Sequence, residues 1–222
     1  MEGIRAVEDI LKSALAVKAV YLQEDEGCDY HAVPGYENFE RVSAREMKLM
    51  SAMKTPPGLL AVVEIPQKQM QINVIKPFIV LDGIKDPGNL GTIIRTAHWF
   101  GITQILCSVD TVDVFNPKVV QATMGSIGFV NVVYQELQPF MKQHHSNCCF
   151  VGLDMTGAPV HQKVETNHAI ALVVGGEAFG IREATKSLLH YRMTVLAADN
   201  QNRPESLNAA IAASIGMFRF YA

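Results

Sequence analysis

Apolar and polar positions in the first third of the chain follow a helix–strand order that then repeats. Apolar residues recur at helical spacing over residues 4–15, and KAVYLQ (18–23) has the composition of a strand. GLLAVVEI (58–65) predicts a further strand. Together these elements predict a small α/β unit over residues 1–70.

Two local signals complete this unit. The stretch SARE has the form of a capping box, because Ser43 and Glu46 are three residues apart, and it predicts a helix that runs to about residue 53. Residues 66–77, PQKQMQINVIKP, are rich in glutamine and bounded by prolines. We interpret this segment as the linker to the rest of the chain.

Beyond the linker, strand patterns alternate with helical patterns. The helix that follows the first strand is predicted over residues 89–101, and the chain closes with a helix at about 205–219. The predicted strands cover residues 78–84, 102–108, 129–134, 148–154, 169–175 and 192–197. Such alternation favours an α/β unit over 77–222, with a mostly parallel sheet and helices on both faces.

The closing helix is apolar or small on nearly every side. Residues 206–218, SLNAAIAASIGMF, leave it without a polar face, so it must be buried on more than one side. Its alanines, serines and glycine permit close approach by another backbone. Burial within one chain and burial between two chains both remain open at this point.

Composition excludes some classes of protein and limits others. The 222 residues are 49% hydrophobic and 18% charged, which is enough apolar material for a real core. The chain contains no run of eighteen apolar residues, so a membrane span is not expected, and its first residues do not resemble a secretory signal. A net charge of −3 means that any contacts with nucleic-acid phosphates must be local.

The four cysteines follow neither metal-ligand nor disulfide-framework spacing. Cys148 and Cys149 are adjacent and lead into an apolar strand pattern, and Cys28 and Cys107 stand alone. We interpret them as buried thiols and expect a reducing, cytoplasmic location. No metal site is predicted.

The stretch LVVGGEAFGI (172–181) is an apolar run that ends in glycines around a single carboxylate, Glu177. It matches neither the GxGxxG dinucleotide pattern nor a Walker loop, and no other stretch of the chain does. An open glycine loop at the carboxyl end of a strand is where α/β proteins place ligands. A tight turn is the structural alternative.

Two further stretches have local explanations. In residues 86–101, Asn89 is predicted to cap the start of a helix and Gly101 to end it, while Arg95 is a cation on a heavily apolar helix. In residues 200–214, Ser206 and Asn208 stand where they would cap the closing helix. Each stretch is weak evidence of function when taken alone.

Taken in order, the three stretches resemble the signature motifs of the SpoU (TrmH-like) RNA ribose 2′-O-methyltransferases. The resemblance covers residues 78–222, and the three-part pattern is highly specific. The matching residues are Asn89, Gly91, Arg95 and Gly101, then Gly175, Glu177 and Gly180, then Ser206, Leu207 and Asn208. The amino-terminal unit resembles the small ribosomal-protein-like substrate domain of many members, in which more chain would precede Glu2.

The resemblance implies a SPOUT fold: a parallel sheet whose carboxyl-terminal segment forms a deep trefoil knot. It also implies a homodimer, with S-adenosylmethionine bound in the knot. The catalytic position maps to Arg95, which would steady the developing alkoxide or orient a neighbouring phosphate. Asn89 would order the first motif beside it, and Glu177 would brace the glycine loop or bond a neighbouring motif. Together with Ser206 and Asn208, these residues make up the catalytic site that the resemblance implies.

The positions that bind the cofactor in this family can be matched one by one to residues of this chain. Weaker candidates for the pocket rim are Leu153–Asp154 and TMGSIG (123–128). The residues expected to hold the cofactor are Val174, Gly175, Gly176, Glu177, Gly180, Leu196, Ala197, Ser206, Leu207 and Ala209. The chain departs from the family pattern at Gly176, where asparagine is usual, at Ala178, where glycine is usual, and across 195–204.

The function expected from this resemblance is methylation of a ribose 2′-hydroxyl in structured RNA, ribosomal RNA rather than transfer RNA. Because overall charge is negative, local cations must contact phosphates. The candidates are Arg41, Arg45, Lys85, Arg95 and Arg203. The alternative is a non-catalytic RNA-binding or ribosome-assembly protein on the same scaffold, and an antibiotic-resistance methyltransferase would use the same chemistry.

Overall fold

The computed structural model describes residues 1–24, 38–67, 70–198 and 204–222. The described chain forms a three-stranded sheet followed by a six-stranded one. The first sheet and its helices comprise α1 (Ile4–Leu11), β1 (Val17–Gln23), β2 (Phe39–Val42), α2 (Ala44–Met50) and β3 (Leu59–Val63). We refer to these elements as the small unit.

The small unit has the strand order β2-β1-β3, with β1 parallel to β2 and antiparallel to β3. Helix α2 begins with the predicted capping box: Ser43 Oγ accepts from the Glu46 amide, and the Glu46 carboxylate accepts from the Ser43 amide at 2.8 Å. Helix α1 ends earlier than predicted because the Ser13 hydroxyl donates to the Ile10 carbonyl at 2.7 Å.

The large sheet has the order β6-β5-β4-β8-β7-β9, and all of its strand pairs are parallel, as predicted. Its elements are β4 (Phe78–Asp82), α3 (Pro87–Trp99), β5 (Gln104–Cys107), α4 (Pro117–Ala122), a short 3-10 turn (Ser126–Gly128), β6 (Asn131–Tyr134), α5 (Leu137–Gln143), β7 (Cys148–Pro159), β8 (Ala169–Gly175), α6 (Glu183–Lys186), β9 (Tyr191–Thr194) and α7 (Ala209–Tyr221). Elements β2, α4, α5 and α6 were not predicted, because four to seven residues carry too little periodicity.

Both faces of the large sheet are covered, so its central strands are apolar on both sides. Along β4, Ile79 and Leu81 face a core shared with α3 and α7, while Phe78 and Val80 face a core shared with α5. Successive side chains of a strand point to opposite faces, so a strand buried on both sides needs a continuous apolar run. This is why the predicted strand patterns there do not alternate.

Helix α7 packs one face inside this chain and leaves the other exposed. Ala210, Ala213 and Met217 are buried, whereas Ile211 and Phe218 are exposed. Its last turn is tied to the sheet because the Tyr221 hydroxyl lies 3.2 Å from the Phe78 and Ile170 carbonyls and accepts from the Leu172 amide. Burial raises the pKa of Tyr221.

The small unit contacts the large one through α1. A Cβ on Gly125 would lie 2.7 Å from the Asp9 Cβ, and one on Gly128 would lie 2.6 Å from the Ser13 Cβ. The linker is also packed: Ile72 and Val74 join the second core of the large sheet. The segment TMGSIG, predicted as a weak candidate for the pocket rim, therefore lies under α1 instead.

Helix α3 begins differently from the prediction. Its N-cap is Asp86, whose carboxylate accepts a hydrogen bond from the backbone amide of Asn89 at 2.8 Å, and Pro87 is the first helical residue. Asn89 is thus inside the first turn and its side chain is free for other contacts. Gly101 follows the C-cap residue Phe100 with a φ of +72°, as a helix-ending glycine should.

Three findings bear on the composition. No helix among the described residues is long and apolar enough to cross a membrane. Cys107, Cys148 and Cys149 are buried and unpaired, as predicted, and Cys28 lies outside the described residues. Burial raises the pKa of Cys107.

Candidate active site and cofactor pocket

The three sequence motifs meet at the carboxyl ends of β4 and β8. These two strands are neighbours in register, with Asp82 opposite Gly175. Helix α3 begins after β4, the glycine loop follows β8, and Asn208 starts α7. The structure therefore brings together residues that are far apart in the chain: Asn89 is 88 positions from Glu177 and 119 from Asn208.

A chain of side-chain hydrogen bonds joins one residue from each motif. The side-chain amide of Asn208 donates through Nδ2 to Asn89 Oδ1 at 2.9 Å. The side-chain amide of Asn89 donates in turn through Nδ2 to the Glu177 carboxylate. Asn208 also accepts from the Ala210 and Ile211 amides at 3.0 and 3.2 Å, which caps α7. Asn89 is buried, so its two bonds satisfy an amide that would otherwise be costly to bury.

The glycines of the second motif are needed for close backbone approach. A Cβ on Gly175 would lie 2.0 Å from the Gly180 carbonyl carbon, and one on Gly176 would lie 2.5 Å from the Gly83 carbonyl oxygen. The Gly176 amide donates to the Asp82 carbonyl at 3.0 Å. In this backbone the asparagine usual at Gly176 has no room for its Cβ.

A pocket of about 430 Å³ opens beside the hydrogen-bonded chain. That volume is within the range typical of small-molecule sites, about 300–1,000 Å³. Of the predicted cofactor residues, the lining includes Val174, Gly175, Gly176, Glu177, Gly180, Ser206, Leu207 and Ala209, together with the rim candidates Leu153 and Asp154. Leu196 and Ala197 do not line it; Met193 and Thr194 of β9 and the following Val195 do.

The pocket suits a molecule that is partly apolar and carries several charges, as S-adenosylmethionine does. Glycine backbone forms one wall, and Val174, Ile181 and Leu207 supply apolar surface. Glu177 and Glu205 also line the pocket, and their carboxylates would attract a sulfonium or an ammonium group. The residues present therefore fit the cofactor that the motifs imply.

An ion pair within this pocket was not predicted from the sequence. Lys186 Nζ lies 2.9 Å from Asp154 Oδ2, and the side chains are 26% and 8% exposed. Burial raises the pKa of Asp154, but hydrogen bonds from Thr156 and Lys186 outweigh it and bring the pKa to about 2. Asp154 is therefore an anion at neutral pH.

A second ionic network holds the end of the glycine loop against β4. Arg182 donates through its amide and its Nε to Asp82, at 2.9 and 2.6 Å, and lies 3.2 Å from Asp110. Lys85 lies 2.9 Å from Asp110, whose pKa is lowered to about 2 by hydrogen bonds from Lys85 and from Ser108. Because Asp82 is buried, this pairing holds the residue that follows the glycine loop against the end of β4.

Arg95 stands apart from the hydrogen-bonded chain. It is exposed, and within the described residues its guanidinium has no hydrogen-bond or ion-pair partner. Six residues separate it from Asn89, so with about 3.6 residues per turn it points from a different face of α3. It shares its own face with Trp99, which is 85% exposed.

The other predicted RNA contacts lie on the surface. Arg41 and Arg45 are exposed on β2 and α2 of the small unit, and Lys85 is exposed beside Asp110. Arg203 falls outside the described residues. Among the described side chains, no group of three or more His, Cys, Asp or Glu could hold a metal ion.

A second cavity, which we call the apolar cleft, has the same volume of about 430 Å³. It lies between β3 and α4, where the small unit meets the large one. Its lining is mostly apolar and includes Met50, Met53, Val62, Ile65 and Phe115. No motif residue reaches it.

Comparison with known proteins identifies the family. The profile of the SpoU rRNA methylase family matches residues 76–218. The chain belongs to the SpoU rRNA methylase family. Membership confirms the prediction from the three motifs, and with it the class of enzyme, an RNA methyltransferase, and its methyl donor, S-adenosylmethionine.

The chain is similar to named relatives along most of its length. It is 28% identical over 216 residues to RlmP of Bacillus subtilis (strain 168), a 23S rRNA (guanosine(2553)-2′-O)-methyltransferase, covering 97% of this chain and 85% of that one. It is 29% identical over 151 residues to mitochondrial rRNA methyltransferase 3 of Mus musculus, covering 63% of this chain but 36% of the relative.

Solved structures share the whole fold. A TrmH-family protein from Porphyromonas gingivalis superposes with a TM-score of 0.82 at 30% identity, covering 99% of this chain and 88% of that one. The SpoU methyltransferase AviRb from Streptomyces viridochromogenes, solved with AdoMet, gives a TM-score of 0.81 at 20% identity, covering 100% of this chain and 88% of that one. At 20% identity, the similarity to AviRb concerns the fold alone. Both structures confirm the predicted SPOUT-type α/β sheet.

Proposed function

We propose that this protein transfers a methyl group from S-adenosylmethionine to a ribose 2′-hydroxyl of RNA. The observation that carries the proposal is the chain Asn208–Asn89–Glu177, which joins the three motifs at the mouth of a pocket of suitable size. Bound S-adenosylmethionine would supply an activated methyl group. What the protein must supply is alignment and an environment for the hydroxyl that attacks.

In this proposal the glycine loop and Ser206, Leu207 and Ala209 hold the cofactor. Glu177 and Asn208 are positioning residues that act through Asn89, which supports the view of Glu177 as a brace. Arg95 is the catalytic residue: its guanidinium stays charged, so it stabilises a developing alkoxide or orients a phosphate instead of removing the proton itself.

We propose that two copies pair through the exposed apolar face of α3 and α7. Trp99, Ile211 and Phe218 are all exposed, at 85%, 51% and 67%, and the Phe100 and Phe218 rings lie 6.5 Å apart. A face of this kind on one side of two packed helices is typical of an interface. Arg95 borders it, so pairing would place the catalytic arginine at a subunit boundary.

Sedimentation analysis tests this pairing. Phe218→Glu should turn a dimer into a monomer, whereas the matched change Phe179→Glu, at an exposed aromatic outside that face, should leave the dimer intact. A wild-type chain that sediments as a monomer at micromolar concentration would overturn the pairing.

The substrate we propose is ribosomal RNA, as in RlmP, contacted by Arg41 and Arg45 of the small unit and by Lys85, Arg95 and Arg203. The exposure of the described cations supports this assignment. The three buried free thiols fit a reducing, cytoplasmic compartment. The proposal includes the trefoil knot that the family implies, and the return of Asn208 to Asn89 at the ends of β4 and β8 supports it.

Two measurements test the proposed function. Calorimetric titration with S-adenosylmethionine should give binding, and mass mapping of ribose methylation in total RNA should reveal one nucleotide that loses its methyl group in a deletion strain. Binding without any change in RNA methylation would exclude catalysis on cellular RNA. Absence of both would favour the non-catalytic RNA-binding alternative.

A further inference from the structure

Lys186 stands in the proposed cofactor pocket with most of its hydrogen-bonding capacity unused. It is the only cationic side chain among the described residues that line the pocket, and it is 26% exposed. Its one partner among the described residues is Asp154, at 2.9 Å. An ammonium group carries three N–H donors, so two remain for a ligand.

Asp154, by contrast, is nearly saturated. Its Oδ1 accepts from the Thr156 amide at 2.9 Å and from the Thr156 hydroxyl at 2.7 Å, and its Oδ2 accepts from Lys186. A carboxylate has about four acceptor positions, so three of them are occupied. Most of the unused hydrogen-bonding capacity of the pair therefore belongs to Lys186, and Asp154 fixes where its ammonium group lies.

The rest of the pocket is anionic or neutral. Glu177 and Glu205 are the other ionisable side chains in its described lining. S-adenosylmethionine carries two positive groups, the sulfonium and the amino group, and one negative group, the carboxylate of its methionine part. That carboxylate is the only anionic group of the cofactor, so it is the strongest partner for an ammonium donor.

We propose that Lys186 binds the carboxylate of the methionine part of S-adenosylmethionine, with Asp154 as its positioning residue. The proposal rests on the proposed function, since it names a contact to the cofactor of that same site. It makes Lys186 a determinant of cofactor specificity: the pocket prefers ligands that carry the amino-acid carboxylate over those that lack it.

Calorimetric binding of four ligands tests the proposal without any measurement of activity. S-adenosylmethionine and S-adenosylhomocysteine carry the carboxylate; decarboxylated S-adenosylmethionine and 5′-methylthioadenosine do not. Lys186→Met should raise the Kd of the first two about ten- to a hundred-fold, the loss expected for one charge-assisted hydrogen bond. It should leave the Kd of the other two within about two-fold.

Three further variants separate charge from folding. Lys186→Arg keeps the charge and should retain part of the preference for the carboxylate. Asp154→Asn combined with Lys186→Met leaves no unpaired buried charge, and should lose the preference while its thermal midpoint stays near that of the wild type. Lys163→Met removes a lysine that is 82% exposed and paired with Glu165, and should change nothing.

The outcomes are distinct. Unchanged affinity for S-adenosylmethionine in Lys186→Met would overturn the proposal, as would an equal loss for all four ligands, because a merely structural role predicts that result. A wild-type chain that binds none of the four would overturn the proposed function itself. Wild-type binding with the predicted selective loss would support both.

Discussion

The cofactor pocket and the apolar cleft have the same volume, about 430 Å³, yet the chemistry of their linings differs. The pocket is built from three sequence motifs joined by Asn208, Asn89 and Glu177, and it contains the Asp154–Lys186 pair. The cleft is mostly apolar and lies where the small unit rests on α4. Volume alone therefore does not distinguish a site for a charged ligand from a gap between two packed units.

The comparison also separates two uses of close packing. In the pocket, Gly175 and Gly176 let backbone approach backbone and leave room for a ligand. At the junction between the units, Gly125 and Gly128 let α1 approach the large unit, and no ligand is implied. Glycine is needed at both places for the same steric reason, and only the polar groups nearby give the first one a chemical role.

The largest effect is expected from Arg95, which lies outside both cavities. Arg95→Ala should lower the rate of methyl transfer at least about a hundred-fold, because a charge that stabilises the transition state is lost. Its affinity for S-adenosylmethionine, measured by calorimetry, should stay within about two-fold of the wild type. Arg192→Ala, another exposed arginine, is the control. Equal loss of cofactor binding would contradict the assignment.

The next effect concerns the glycine loop. Gly176→Asn restores the residue usual in the family, but its Cβ would lie 2.5 Å from the Gly83 carbonyl oxygen. Overpacking of this kind costs about 1–3 kcal/mol, so denaturant unfolding should register that loss and cofactor affinity should fall with it. Ala178 is exposed and is the other position at which this loop differs from the family pattern. Ala178→Gly should change the free energy of unfolding by less than about 0.5 kcal/mol. A stable, tightly binding Gly176→Asn variant would show that the backbone shifts freely here.

A smaller effect is expected from Glu177→Gln. The glutamine can still accept from Asn89, but the hydrogen bond loses its charge assistance, worth about 1 kcal/mol. We expect cofactor affinity to fall about five-fold in calorimetric titration. Glu183→Gln serves as the control, because Glu183 is exposed and does not line the pocket, and it should leave the affinity within about two-fold of the wild type. An unchanged affinity in Glu177→Gln would contradict the role given to this hydrogen bond.

The smallest effect is expected in the apolar cleft. Val62 is 45% exposed and lines the cleft but not the cofactor pocket, so Val62→Thr should leave the Kd for S-adenosylmethionine unchanged and shift stability by less than about 0.5 kcal/mol. Calorimetry and thermal unfolding measure both. A clear loss of cofactor affinity would mean that the two cavities are coupled, and the contrast between them would fail.

Most of the large unit could be predicted because its strands are buried on both faces. Continuous apolar runs such as residues 78–81 can be recognised as buried strands, and their alternation with helices indicates parallel pairing. The short helices α4 and α6, six and four residues long, offered no comparable periodicity. A local signal did exist for α4: Asn116 caps it and Pro117 begins it.

One local interpretation was wrong because two residues competed for one role. Asn89 was predicted as the N-cap of α3, but Asp86 takes that position, since Pro87 suits the first helical turn. That displacement is what frees the Asn89 side chain to bond Glu177 and Asn208. The cofactor role of Leu196 and Ala197 stays a prediction: in this structure the neighbouring residues Met193, Thr194 and Val195 line the pocket.

The sequence by itself determined the class of fold, the order of the main strands and the identity of the three motifs, because hydrophobic periodicity and spaced residue types are properties of the chain. Only the tertiary structure decided which motif residues touch, where Lys186 points and why Gly176 cannot carry a side chain. Those facts depend on residues about a hundred positions apart, such as Asn89 and Asn208, or Asp82 and Arg182. Contacts of that kind arise only when β4 and β8 lie side by side.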